Sequence, residues 1–146
     1  RSTPKPSSAA SDVYKRQDKV KASEAPWFGA SRHVANAVLT AMKFDPRIRS
    51  AINLRYDDKL IEAAKNLGWV VSFYDRREEP EEIKKLEGRT VPWGIETAVK
   101  RAGGRVPDLV YHLGDWGKEP MILVFGRDSM DVVEKIERLI AELSRL

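Results

Sequence analysis

The sequence lacks cysteine altogether and has only two histidines, His33 and His112, among its 146 residues. Without cysteine there are no disulfide bonds, thiol nucleophiles or cysteine-ligated metals, and two histidines argue against a histidine-rich metal site. No apolar run approaches the roughly 18 residues of a membrane-spanning helix, and there is no signal-peptide pattern. These absences predict a cytoplasmic protein, and the abundance of Lys, Glu and Arg fits a thermophile.

The familiar short motifs of catalysis are also missing. The chain contains no Walker A sequence, no G-x-G-x-x-G, no nucleophile elbow and no H-E-x-x-H. Any chemistry must therefore come from residues that several segments contribute together.

The net charge of +4 is unevenly distributed along the chain. Residues 1–17 hold four basic side chains and one acidic side chain, which leaves 22 basic and 21 acidic side chains in residues 18–146. A remainder this close to neutral gives no sign of a phosphate-backbone footprint, so we do not expect direct nucleic-acid binding.

The first 17 residues, RSTPKPSSAASDVYKRQ, differ from the rest in composition. They lack apolar periodicity, are rich in Ser, Ala and Pro, and resemble translated adapter sequence. We therefore predict a non-native or disordered tail at residues 1–17 and one domain at residues 18–146.

Within that domain, apolar periodicity predicts alternating helices and strands. The predicted helices are Ser31–Phe44, with Ser31 as N-cap, a helix capped by Asp57 or Asp58, Glu81–Leu86, Trp93–Ala102, and a long final helix capped by Asp128 or Ser129. The predicted strands are Ser50–Tyr56, expected to be central, Trp69–Tyr74, expected to be well buried, Leu109–His112 and Met121–Phe125. Such alternation indicates a layered α/β domain. The last two strands are separated by about eight residues, too few for a helical crossover, so they should be antiparallel in a mixed sheet.

Two clusters of polar residues lie in the first half of the domain. Ser31 and His33 stand at a predicted helix N-terminus, where backbone N–H groups favour an anion, although an ordinary N-cap has the same appearance. Asn53 and Arg55 share one face of a strand and need partners there, either a phosphate or an internal acidic residue.

Two denser clusters follow later strands. Asp75, Arg76 and Arg77 open a charge run that suits a diphosphate with Mg²⁺ on Asp75, but such a run by itself favours a surface salt-bridge network. The segment His112–Met121 carries two glycines and more polar and aromatic side chains than a structural hairpin needs, so we interpret it as functional. Its candidate residues for a ring, an amine and a phosphate are His112, Asp115, Trp116 and Lys118.

Taken in order, these segments resemble one family. FGASRHVA, RSAINLRY, FYDRREEPEE, GRTVPWGIETA, GGRVPDLVYHLGDWGKEPMI and FGRD are similar to the ThiN family of thiamine-phosphate synthases, from about Phe28 to Leu146. The tandem of YDRREEP and LGDWGKEPMI is the most specific part of the resemblance.

The resemblance implies a fold, an activity and partners. The fold would be a three-layer α/β/α sandwich with a mixed sheet, like class II aldolases, in a homodimer. The activity would join hydroxymethylpyrimidine diphosphate to hydroxyethylthiazole phosphate, with release of diphosphate. The domain would follow a fused upstream pyrimidine-phosphate kinase. The alternative is a non-catalytic thiamine phosphate sensor behind a helix-turn-helix domain.

The resemblance also suggests roles for the clusters. The catalytic set would be Arg55, Arg76 and His112, with Mg²⁺ bound by Asp75. The residues proposed to bind the phosphorylated substrates are Ser31, His33, Asn53, Arg77, Asp115, Trp116 and Lys118. No protein nucleophile is needed, because the thiazole nitrogen is itself the nucleophile.

Overall fold

Helices and strands alternate along the chain in the predicted order. The structure, a computed structural model, describes residues 28–146, so the predicted tail at residues 1–17 lies outside the described residues. In chain order the elements are α1 (Phe28–Phe44), β1 (Ser50–Arg55), α2 (Asp58–Asn66), β2 (Val71–Phe73), a 3₁₀ helix (Arg76–Glu78), α3 (Glu81–Lys84), α4 (Thr90–Arg101), β3 (Leu109–His112), β4 (Met121–Gly126) and α5 (Ser129–Leu143).

Carboxylate caps begin two of the helices where the sequence predicts them. Asp57 accepts a hydrogen bond from the backbone N–H of Lys59, and Asp128 accepts one from that of Asp131. The prediction that Ser31 caps the first helix is wrong, because α1 begins at Phe28 and already includes Ser31. An N-cap residue needs a non-helical backbone, and the stretch Phe28–Ala30 has no proline that would stop the helix from extending upstream.

The four strands form one mixed sheet in the order β1-β4-β3-β2. As predicted, β3 and β4 are antiparallel, with His112 opposite Met121. β1 is antiparallel to β4, and the short β2 is parallel to β3. The C-terminal ends of β2 and β3 therefore lie at the same end of the sheet as the N-terminal end of β4.

Two predictions about individual strands are wrong. β1 is an edge strand rather than a central one. β2 is a three-residue edge strand rather than a buried strand over Trp69–Tyr74, and Phe73 keeps 40% of its surface exposed. An aromatic run at a sheet edge has the same local composition as a run at its centre, so composition alone did not separate the two positions.

The helices form two contacting pairs around this sheet. α1 contacts α4 and β1, and α4 contacts β2. α2 contacts α5, which also covers β1 and β4. β4 is buried on both faces from Ile122 to Gly126. Within residues 28–146, no helix is long and apolar enough to cross a membrane.

Candidate functional site

One row of side chains crosses the end of the sheet and brings separate polar segments together. Strand register places His112 opposite Met121, and Met121 opposite Arg55. Tyr74 completes the row, since its ring lies 5.1 Å from that of His112. Neighbouring strands are about 4.8 Å apart, so the Cα atoms of Arg55 and His112 are about 10 Å apart.

A cavity of about 630 Å³ lies over this row, and we call it the cationic cavity. It is bounded by helix α1, by the loop around α3 and by the start of α4. Its lining residues are His33, Asn36, Tyr74, Arg76, Lys84, Leu86, Glu87, Gly88, Thr90, Val91, His112, Gly117, Lys118, Glu119 and Met121. Four residues predicted as site residues from the sequence therefore share one cavity: His33, Arg76, His112 and Lys118.

The positive groups of this cavity are only partly balanced. Neither Arg76 nor Lys118 makes a side-chain hydrogen bond or ion pair with another described residue, although the carboxylates of Glu87 and Glu119 also line the cavity. The pKa of His33 is lowered by partial burial and then by the charges of Lys118 and Arg76. A cavity that disfavours a further positive charge in this way is suited to an anion.

His112 is held as a neutral hydrogen-bond donor. Its side chain is buried, and its Nδ1 atom accepts a hydrogen bond of 3.0 Å from the backbone N–H of Gly114. Burial, and then the charge of Arg76, lowers the pKa of His112 to about 4. A neutral imidazole that accepts at Nδ1 carries its proton at Nε2. At neutral pH His112 can therefore donate a hydrogen bond from Nε2 without carrying charge.

Gly114 shapes the loop that carries these residues. Its φ is +85°, and a Cβ atom at this position would lie 2.5 Å from the backbone oxygen of Lys118. Asp115 and Lys118 pair as an isolated bridge, with the 2.8 Å bond from Lys118 N to Asp115 O closing the turn. Glycine at this position therefore lets the backbone of Lys118 approach closely, which a side chain would prevent.

A second cavity, of about 520 Å³, lies on the other side of the same sheet end, and we call it the aromatic cavity. Because side chains alternate along a strand, Phe73 and Tyr111 face away from Tyr74 and His112. The rings of Phe73 and Tyr111 stack with centroids 5.7 Å apart. The lining residues are Phe73, Tyr74, Asp75, Arg77, Tyr111, Leu113, Gly114, Asp115, Trp116 and Lys118.

The two cavities share Tyr74 and Lys118. Trp116 stands at the rim of the aromatic cavity with 96% of its surface exposed. A large apolar ring with so little cover offers a face on which a heterocycle can stack.

The charge run after β2 divides between the two cavities. Arg77 forms a bidentate ion pair with Asp75, with contacts of 2.8 Å and 3.0 Å, which lowers the pKa of Asp75 to about 2. Glu78 pairs with Arg101 at 2.7 Å. The salt-bridge interpretation therefore describes most of the run, whereas Arg76 faces the cationic cavity.

This arrangement does not fit a divalent cation held by the protein. Both oxygens of Asp75 accept hydrogen bonds from Arg77. Among residues 28–146, no three His, Asp or Glu side chains cluster closely enough to hold a metal ion. The prediction of a metal at Asp75 stays a prediction.

Two predicted site residues with described side chains, Arg55 and Asn53, do not line either cavity. Arg55 is exposed at the end of the row, and Asn53 is half-buried with its Nδ2 atom 3.9 Å from the sulfur of Met121. Ser31 lies in the first turn of α1, and its side chain is outside the described residues. The roles of Arg55, Asn53 and Ser31 stay predictions.

Sequence reasoning missed Tyr74, Glu79 and Thr90. Glu79 is buried and accepts a hydrogen bond of 2.5 Å from the Thr90 hydroxyl, which joins the charge run to the start of α4. Thr90 lies inside the first turn of α4, directly after the N-cap residue Arg89. A glutamate at the end of a charge run gives no local sign that it is buried. For Tyr74, its position directly after a strand could have served as a signal.

Comparisons with known proteins agree on one family. A family model described as "Thiamine-phosphate synthase ThiN" matches residues 12–138. The chain is 39% identical over 121 residues to "Thiamine-phosphate synthase ThiN" of Methanothermobacter thermautotrophicus, covering 83% of this chain and 63% of that protein. It is 46% identical over 110 residues to "Bifunctional thiamine biosynthesis protein ThiDN" of Methanocaldococcus jannaschii, covering 75% of this chain and 25% of that protein.

A solved structure is also similar. The crystal structure of the C-terminal domain of a phosphomethylpyrimidine kinase is 63% identical, with a TM-score of 0.70 over 77% of this chain and 62% of that one. The chain thus spans less than two thirds of the length of each of these proteins.

Proposed function

Since the chain belongs to the ThiN family of thiamine-phosphate synthases, we propose that it joins hydroxymethylpyrimidine diphosphate to hydroxyethylthiazole phosphate. The products would be thiamine phosphate and diphosphate. The observation that carries the proposal is the cationic cavity, where the side chains of Arg76 and Lys118 have no hydrogen-bond or ion-pair partner among the described residues and two histidines are held toward their neutral forms.

In this reaction the bond between the pyrimidine methylene carbon and the diphosphate oxygen breaks, and diphosphate keeps the electron pair. The thiazole nitrogen donates its lone pair to the same carbon and forms the new C–N bond. Negative charge therefore accumulates on the departing oxygen. Preorganised cations and hydrogen-bond donors at that point lower the barrier. Arg76, and Arg55 at the end of the row, would supply charge, and the Nε2–H of His112 would supply a neutral donor.

The two cavities suggest how the parts of the substrates are divided. Phosphate groups suit the cationic cavity, where His33 and Lys118 join Arg76. The two rings suit the aromatic cavity, with Trp116 stacking on one of them and Asp115 accepting from the pyrimidine amine. Lys118 lines both cavities, so it is the residue best placed to reach the thiazole phosphate.

Mg²⁺ is proposed only as a cation that the diphosphate carries, because a single carboxylate together with phosphate oxygens is a common way for proteins to bind it. Asp75 would contact it only after releasing Arg77, and no step of the reaction is assigned to it. Replacing Asp75 with Asn checks this point. An unchanged dependence of the rate on Mg²⁺ concentration would remove Asp75 as a ligand.

The main experiment mixes both substrates with the chain and measures thiamine phosphate. We expect turnover by the parent and losses of about 100-fold or more in Arg76→Ala and His112→Ala, as for other groups that stabilise developing charge. Arg138→Ala, on the exposed side of α5, is the matched control and should keep full activity. Activity within twofold of the parent in Arg55→Ala, Arg76→Ala and His112→Ala together would contradict the assignment. Binding of thiamine phosphate without turnover would support the sensor instead.

The wider architecture belongs to the same proposal. The two helix pairs would cover opposite faces of the sheet as a three-layer α/β/α sandwich of the class II aldolase type. The chain would act as a homodimer. It would also follow a kinase domain, which the names of a bifunctional relative and of a kinase C-terminal domain support. The native sequence upstream of Asp18 and a sedimentation measurement test these two points.

A further inference from the structure

Tyr74 is more deeply buried than Phe73, Tyr111 or Trp116, the other residues of the two cavities that carry a benzene or indole ring. Only 1% of its surface is exposed. Its ring lies edge-on to Trp93 at 5.9 Å and beside His112 at 5.1 Å. A Cβ atom at Gly94 would lie 2.6 Å from the ring, so the glycine there lets α4 press directly against it. The position of the Tyr74 hydroxyl is therefore set by its surroundings on several sides.

That hydroxyl is buried and has no hydrogen-bond partner among the described residues. Leaving a buried polar group unpaired costs about 1–3 kcal/mol, and such groups in native proteins call for an explanation. The only other such group in the described part of the chain is the hydroxyl of Ser50. Ser50 begins β1 at the opposite end of the sheet and lines neither cavity.

The surroundings of the hydroxyl indicate what it can bind. Tyr74 lines both cavities, and the charges of Arg76 and Glu79 both act on it. Burial raises the pKa of Tyr74 to about 12, so the hydroxyl keeps its proton and serves as a donor at neutral pH. A neutral donor close to an arginine is suited to an anionic oxygen, which can accept hydrogen bonds from both groups at once.

We propose that the Tyr74 hydroxyl donates a hydrogen bond to a phosphate oxygen of the ligand in the cationic cavity, and so positions that ligand beside Arg76 and His112. The identity of the ligand as a pyrimidine diphosphate or a thiazole phosphate rests on the proposed function, but the bond to a phosphate oxygen does not. Tyr74 would thus be a binding residue that was not among those predicted from the charge run after β2 or from the segment His112–Met121.

The experiment compares Tyr74→Phe with the parent and uses inorganic diphosphate as the probe. This substitution keeps the ring and its packing and removes only the unpaired hydroxyl. We expect the dissociation constant of diphosphate to rise about 10- to 100-fold, the usual effect of losing one hydrogen bond to a charged group. The melting temperature without ligand should stay the same or rise, because an unsatisfied polar group has been removed.

Tyr56→Phe is the matched control. The Tyr56 hydroxyl donates to Asp58 at 2.5 Å, and Tyr56 lines neither cavity. We expect this variant to bind diphosphate as the parent does. A purely structural role for the Tyr74 hydroxyl predicts the opposite pattern, in which Tyr74→Phe melts at a lower temperature and binds diphosphate normally.

Two outcomes would overturn the proposal: diphosphate affinity within twofold of the parent in Tyr74→Phe, or no binding of diphosphate by the parent at millimolar concentration. Failure of the proposed function looks different. If the parent makes no thiamine phosphate but still binds diphosphate, and Tyr74→Phe weakens that binding, the hydrogen bond stands and the synthase assignment fails.

Discussion

A cationic side chain lies near each end of the hairpin of β3 and β4, and the two side chains differ in the partners that surround them. At one end Lys135, 7% exposed, donates to Asp108 at 2.8 Å and to the backbone oxygen of Phe125 at 2.5 Å. The ring of Trp69 lies 5.2 Å from the same ammonium group. At the other end, around His112, Arg76 has no such partner among the described residues.

The difference separates a structural charge from one that is available to a ligand. A buried ammonium is tolerated only when its surroundings replace the hydrogen bonds that water would make, and Lys135 has that replacement. Arg76 and Lys118 lie where solvent or an anion can reach them. Charge alone therefore does not identify the site in this chain; Arg76 and Lys118 are distinguished by lining a cavity while their side chains have no partner among residues 28–146.

The largest expected effect on the free energy of unfolding comes from removing the ion pair between Lys135 and Asp108. Asp108→Ala removes the carboxylate beside Lys135 and also the acceptor for the backbone N–H of Val70. Removing the partner of a buried charge costs up to about 3–5 kcal/mol, and because Asp108 is 33% exposed we expect the lower part of this range. We expect a loss of this size in the free energy of unfolding, measured by urea denaturation.

The cationic cavity gives this prediction its internal control. This cavity lies at the other end of the hairpin, so the folded fraction of the Asp108→Ala variant should bind diphosphate as the parent does. A loss of less than about 1 kcal/mol would mean that Lys135 reaches water in solution and that the two ends are more alike than the structure indicates.

The second effect comes from filling the cationic cavity. A ligand that binds only the folded state stabilises it by about 2.7 kcal/mol at 100 times its dissociation constant. We expect diphosphate to raise the melting temperature of the parent, and sulfate at the same ionic strength to raise it less. Equal shifts with the two anions would show that the cavity responds to charge in general.

Replacing a cation that has no side-chain partner should change the free energy of unfolding by less than Asp108→Ala does, and in the opposite direction. Arg76→Gln removes a positive charge that disfavours protonation of both His33 and His112. We expect the free energy of unfolding without ligand to stay constant or to rise by about 0.5 kcal/mol, as for like charges moved apart at a surface. The same variant should lose most of the diphosphate-induced rise in melting temperature. Destabilisation by more than about 1 kcal/mol would indicate a structural role for Arg76.

Local sequence patterns predicted much of the fold. The order of elements, the caps at Asp57 and Asp128 and the antiparallel pairing of β3 with β4 follow from apolar periodicity, cap chemistry and a short connection. The errors concern properties that are not local. Whether β1 or β2 is an edge strand depends on which strands pair, and the start of α1 depends on residues upstream of the expected cap.

The site divides in the same way. His112 and Lys118 were predicted because glycines and polar residues crowd one loop, and the structure brings them together with His33 and Arg76. That Arg76 and Arg77 face different cavities could not be predicted from adjacent positions, because a 3₁₀ turn separates their directions. The unpaired hydroxyl of Tyr74 was equally hidden, since an unmet hydrogen bond is visible only once every neighbour is placed.

The smallest expected effect is a dependence of stability on pH. In the folded chain both histidines have a pKa below the unfolded value of about 6.5. The folded pKa of His112 is about 4. Between these values the unfolded chain binds more protons, so their contribution to stability is complete above about pH 6.5 and is lost as the pH falls toward 4. We expect the free energy of unfolding to fall by a fraction of a kcal/mol from pH 7 to pH 6, and His112→Gln to reduce that slope. Saturating diphosphate should also reduce it, because an anion beside His33 favours the protonated ring. A slope that neither change alters would have to come from groups outside the cationic cavity.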